Sequence, residues 1–144
     1  MTTKTQSIVS TWDKKDEWHR HGENFLVVVK HSTDPPSIFD PYEGTHRWNV
    51  YAYIYPKHWR FSLFDGQHMY QDAASALPLH GGPSSLRWHY ADDGKPCSVQ
   101  IGSDYNHLHD THFSCYATAE EAWQVFDDAN DLFDVLSKKE LEAA

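Results

Sequence analysis

The chain has 144 residues, enough for one domain around one core, and 40% of them are hydrophobic and 15% aromatic. Its formal net charge of −9, with histidine neutral, argues against a nucleic-acid or anionic-membrane partner, because both need an excess of Lys and Arg. No apolar run approaches the roughly 20 residues that span a bilayer, Met1 to Ser10 lack the apolar stretch of a signal peptide, and two cysteines make no disulfide framework, so the sequence reads as cytoplasmic.

Residues 1–23 are polar, with isolated anchors at Trp12 and Trp18, and read as a surface arm or a short helix. The run Phe25-Leu26-Val27-Val28-Val29 is apolar and β-branched, as in a strand buried on both faces. Pro35, Pro36 and Pro41 mark a loop between Thr33 and Gly44. In the next strand, a period of two puts Trp48, Val50, Ala52 and Ile54 on one face. Asn49, Tyr51, Tyr53 and Tyr55 share the other. Such a tyrosine row suits a second packing layer, a stacking platform for a ring ligand, or a homo-oligomer interface. After a turn at 56–58, Trp59 to Phe64 reads as the returning strand of a hairpin.

Met69 to Leu77 reads as a short helix ended by Pro78. Leu86, Trp88 and Tyr90 alternate with polar residues, and Asp92-Asp93-Gly94-Lys95 signals a hairpin turn. Cys97, Val99 and Ile101 alternate on the partner strand, which makes Cys97 a small buried hydrophobe. Thr118 and Glu121 form a capping box. Ala122, Val125, Phe126, Ala129, Leu132, Phe133 and Leu136 then recur at helical spacing. These elements predict a single α+β domain over residues 1–144: an antiparallel sheet of about five strands, covered on one face by a C-terminal amphipathic helix over 118–137.

The densest polar segment is Asp104-Tyr105-Asn106-His107-Leu108-His109-Asp110-Thr111-His112. Imidazole and carboxylate are the nitrogen and oxygen donors that zinc, iron or manganese accept. As a helical turn, the segment groups Asp104, His107 and Asp110. As an extended chain, it groups His107 with His109, and Asp110 with His112. His107, His109, His112 and Asp110 therefore form one candidate set for a divalent metal. The order of these residues does not match the His-x-His-x-Asp-His motif of the metallo-β-lactamase fold, because the aspartate comes one place early. The second polar feature is the loop His80-Gly81-Gly82. Paired glycines allow a backbone anion nest, and a histidine beside them can bind phosphate or take a proton.

His80-Gly81-Gly82, a hairpin, and then Gly102-Ser103-Asp104, His107 and Asp110 together resemble a family of small bacterial and phage proteins without an assigned function. The signature of that family runs His-Gly-Gly, then Gly-x-Asp-x-x-His-x-x-Asp. The resemblance covers residues 78–112. Members usually carry Cys where this chain has Tyr105, and often Gly where it has His109. The resemblance implies that His80, Asp104, His107 and Asp110 converge, and suggests a phage accessory role.

Three functions follow as expectations. One is binding of a small phosphate-bearing or nucleotide-like ligand, with Gly81, Gly82, Asp104, Tyr105 and Asp110 as contacts. Another is a hydrolase, with or without a divalent metal, in which His80 or His107 acts as base. The last is an acidic, DNA-mimicking inhibitor that binds a host-defence protein through Asp127, Asp128 and Asp131.

Overall fold

The computed structural model describes residues 15–107 and 109–143. Five strands form one antiparallel sheet: β1 (Lys15–Gly22), β2 (Phe25–Thr33), β3 (His46–Ile54), β4 (Ser85–Tyr90) and β5 (Pro96–Asp104), in the order β1-β2-β3-β5-β4. Among the described residues three α-helical segments accompany it: a single turn, α1 (Asp72–Ser75), the long α2 (Trp123–Ser137) and the short α3 (Glu140–Ala143). No helix among the described residues is long and apolar enough to cross a membrane. The α+β architecture is the one the residue pattern predicts.

Alternation decides what each face of the sheet does. Trp48, Val50, Ala52 and Ile54 of β3 are all buried. So are Phe25, Val27 and Val29 of β2 and Val99 and Ile101 of β5. Against them α2 lays Val125, Ala129, Leu132 and Leu136. Helical spacing puts these four on one stripe, and a sheet face with a helical stripe is a stable two-layer solution. Thr118 and Glu121 exchange hydrogen bonds of 3.2 Å, but in a turn ahead of the helix, whose N-cap is Ala122 without a side-chain cap, so the predicted capping box does not cap α2. The helix itself begins at Trp123, later than the predicted 118.

Three local expectations are corrected. Residues 15–22 of the expected surface arm form edge strand β1; residues 1–14 lie outside the described ones. The edge position leaves β1 mostly exposed and rich in charge, so its alternation does not read as hydrophobic. Trp18 nevertheless stacks on Trp48 at 5.8 Å, and Arg20 lies 3.7 Å over the Phe133 ring. Trp59 to Phe64 is not a strand: it holds a 3-10 turn over Phe61–Leu63, and β5 takes the edge of β3 instead. Trp59 and His58 are used as straps, with Trp59 Nε1 donating to the Lys138 carbonyl (3.0 Å) and His58 Nε2 donating to the Leu136 carbonyl (2.8 Å). Finally, Cys97 is exposed. His89 pairs with Ser98 but Tyr90 pairs with Pro96, so Cys97 is the extra residue of a bulge and loses the core-facing phase. Cys97 and Cys115 are both free thiols.

The strand register also builds a polar chain that no local pattern announces. Buried His31 places Nδ1 3.1 Å from Asp16 on β1 and Nε2 2.8 Å from His46 Nδ1. Trp48 packs against the His31 ring at 4.6 Å between centroids.

Two predictions follow from this packing. Leu132 is fully buried, so Leu132→Ala should lower stability by about 2–5 kcal/mol in denaturant unfolding. The second concerns pH. Burial, then the neighbouring His31 ring, then Arg47 lower the pKa of His46, opposed by Glu121. The unfolded chain therefore binds that proton more readily. Stability is fully present above the ordinary imidazole value of about 6.5 and falls as the pH drops through it. His46→Gln should flatten the fall between about pH 7 and pH 5 in thermal melts; an unchanged slope would exclude this source.

Candidate functional site

Four sequence-predicted residues converge where β5 ends. Strand β5 stops at Asp104, whose carboxylate accepts the Asn106 backbone N–H at 3.0 Å. The chain then turns, with the Asp110 N–H donating to the His107 carbonyl at 3.0 Å. That turn places His107 Nδ1 3.5 Å from Asp104 and 3.0 Å from Asp110. The segment is neither a helix nor an extended strand, but its grouping is that of the helical-turn alternative. From the other loop, His80 Nε2 lies 2.8 Å from both oxygens of Asp110.

Asp110 is the centre of this arrangement. It is only 6% exposed, yet its carboxylate accepts from the His80 ring, the His107 ring and the His107 backbone N–H (2.9 Å). Burial alone would raise its pKa. Those donors, led by the backbone N–H, outweigh burial and hold it below the usual carboxylate range.

Tyr105 is the floor of the cluster rather than a ligand contact. Its ring stacks under His80 at 4.2 Å and 7°, and Phe113 meets both rings edge-on. Its hydroxyl donates to Asp128 of α2 at 2.6 Å. Burial, that hydrogen bond, and the charges of Asp128 and Asp110 push its pKa far up, so it stays a donor. The same bond ties the cluster to α2 and commits one carboxylate of the acidic helix face. Sequence reasoning missed Asp128 and Phe113 as supports, because only the packing of α2 brings them here.

The glycine loop works differently from the predicted anion nest. Gly81 and Gly82 both take left-handed conformations (φ 69 and 83). The Gly82 N–H is already used by the Leu79 carbonyl at 2.9 Å. At Gly81, an added Cβ would lie 2.9 Å from the His107 ring. Gly81 is there so that His107 can approach.

Among the described residues, His80, His107 and Asp110 offer three donor atoms within 4.8 Å of one another. His109 and His112, the other members of the predicted metal set, are exposed and fall outside this trio. The ring of His112 packs on Phe113 at 4.2 Å. Beside the cluster, a cleft of about 420 Å³ is lined by His80, Asp110, His112, Trp123, Asp127 and Asp128. Three of its lining residues, Asp110, Asp127 and Asp128, are carboxylates, which disfavours a phosphate there. Comparison with family models, curated proteins and solved structures returns no match.

Gly81→Ala tests the packing of the two loops. The left-handed backbone and the contact with His107 should together cost about 1 kcal/mol or more. The His107 imidazole resonances should shift in NMR spectra, while those of distant His58 stay in place. A variant with wild-type stability and an unmoved His107 would contradict this packing.

Proposed function

We propose that the chain is a small metal-dependent hydrolase, with a zinc-class divalent ion held by His80, His107 and Asp110. The observation that carries this reading is the donor trio itself: two imidazole nitrogens and a carboxylate oxygen within 4.8 Å, drawn from two separate loops. Two nitrogens and one oxygen form one of the three-residue ligand sets of catalytic zinc. Three protein ligands leave a position for water, and the ion lowers the pKa of that water toward neutrality. The ion would replace the protons on His80 Nε2 and His107 Nδ1 that now face Asp110. The cleft lined by Trp123 and Asp127 then gives a substrate access to the open position.

The test starts with purified full-length protein exposed to zinc, freed of excess ion and analysed for metal. About one equivalent is expected in the wild type and in His109→Ala and His112→Ala. His80→Ala, His107→Ala and Asp110→Ala should lose at least 10-fold in affinity. The zinc-loaded protein should cleave 4-nitrophenyl acetate or bis(4-nitrophenyl) phosphate, and the three ligand variants should not. Zinc retained by the ligand variants would overturn the site. A full equivalent of zinc with neither substrate cleaved would overturn the hydrolytic role.

A further inference from the structure

The face of the sheet turned away from α2 carries a hollow. The register aligns Arg87, Gln100, Tyr53 and Leu26 in one row across β4, β5, β3 and β2. The next row is Ser85, Gly102, Tyr51 and Val28. Gly102 has no side chain to hold the rows apart: a Cβ there would lie 2.3 Å from the Tyr51 ring. Tyr51 therefore leans over β5. The result is a hollow of about 420 Å³ whose lining includes Glu17, Lys30, Tyr51, Tyr53, Arg87 and Gln100.

The hollow holds one cation without a partner among the described residues. The Arg87 guanidinium forms no ion pair or hydrogen bond among the described residues; its charge reaches both tyrosine hydroxyls, as does that of Glu17, and Asp104 reaches that of Tyr51. Those hydroxyls and that of Ser85 are likewise without protein partners among the described residues. Gln100 is held in place, because His89 Nε2 donates to its Oε1 at 2.7 Å and the His89 ring stacks on Tyr53 at 5.9 Å. Its amide N–H groups are left to donate. The one carboxylate in the lining, Glu17, is already engaged by His19 (3.1 Å) and Lys30 (3.7 Å). In a chain of net charge −9, this is a local set of free donors beside two aromatic rings.

From this juxtaposition we infer that the open sheet face binds a mononucleotide, with the phosphate on Arg87 and the base against Tyr51 and Tyr53. Arginine offers a planar fork that fits phosphate. Aromatic rings on a sheet face accept any base by stacking. The net charge disfavours a long polyanion and leaves a single phosphate group as the anion the hollow accommodates. The volume lies within the range of small-molecule sites.

The experiment is calorimetric titration of the full chain with AMP and with UMP, with a chelator present so that the His80 cluster holds no metal. Saturable one-to-one binding by at least one nucleotide is expected. Adenosine and inorganic phosphate should each bind at least 10-fold more weakly. Arg87→Gln and Tyr51→Ala should each reduce affinity at least 10-fold, with the melting temperature of Arg87→Gln unchanged. Absence of binding by both nucleotides would overturn the inference. So would nucleotide binding that survives Arg87→Gln, or a dimer in sedimentation that Arg87→Gln dissolves, which would assign the face to a second copy.

Discussion

Asp110 is a carboxylate that the fold removes almost wholly from water, and such a charge is tolerated only with hydrogen-bond donors around it. The donors come from both of its flanking loops. His107 supplies a ring nitrogen and a backbone N–H, and His80 supplies Nε2 at 2.8 Å from each oxygen. This requirement explains the neighbouring residues. Gly81 is needed so that His107 can close on the loop. Tyr105 is needed flat beneath His80, and Asp128 is needed to hold the Tyr105 hydroxyl. The same geometry that satisfies a buried carboxylate with two imidazoles also assembles nitrogen and oxygen donors for a divalent ion.

The sheet separates two kinds of chemistry. Its covered face is apolar and carries α2, and the cluster of His80, His107 and Asp110 sits where β5 leaves that layer. Its open face is polar and aromatic, with donors that lack protein partners. Carboxylates dominate the lining of the first site and cations and hydroxyls that of the second. At the glycine loop the Gly82 N–H is occupied and Asp110, Asp127 and Asp128 line the cleft nearby, which disfavours an anion there.

Much of the fold is legible in the residues. The alternation in Trp48–Ile54 and the stripe of Val125, Ala129, Leu132 and Leu136 fix both layers. What stays hidden has physical causes. Edge strand β1 is charged on both faces, so period two leaves no hydrophobic trace. The bulge at Cys97 changes phase without a Gly or Pro to mark it. Trp59 and Phe64 look like strand residues, but they are loop anchors chosen by tertiary contacts. At the site, the spacing of Asp104, His107 and Asp110 is local and readable. That His80, rather than His109 or His112, completes the trio depends on where the loop after α1 lands. The Asp16–His31–His46 chain is likewise set by strand register alone.

The central claim is that two imidazoles and one carboxylate converge on a single ion. X-ray absorption at the zinc edge of the zinc-loaded full-length protein addresses it directly. An ion held by His80, His107 and Asp110 gives a light-atom shell at about 2.0–2.1 Å with the outer scattering of two imidazole rings, completed by oxygen donors. A spectrum without imidazole scattering, or one that needs sulfur at about 2.3 Å from Cys97 or Cys115, would contradict it.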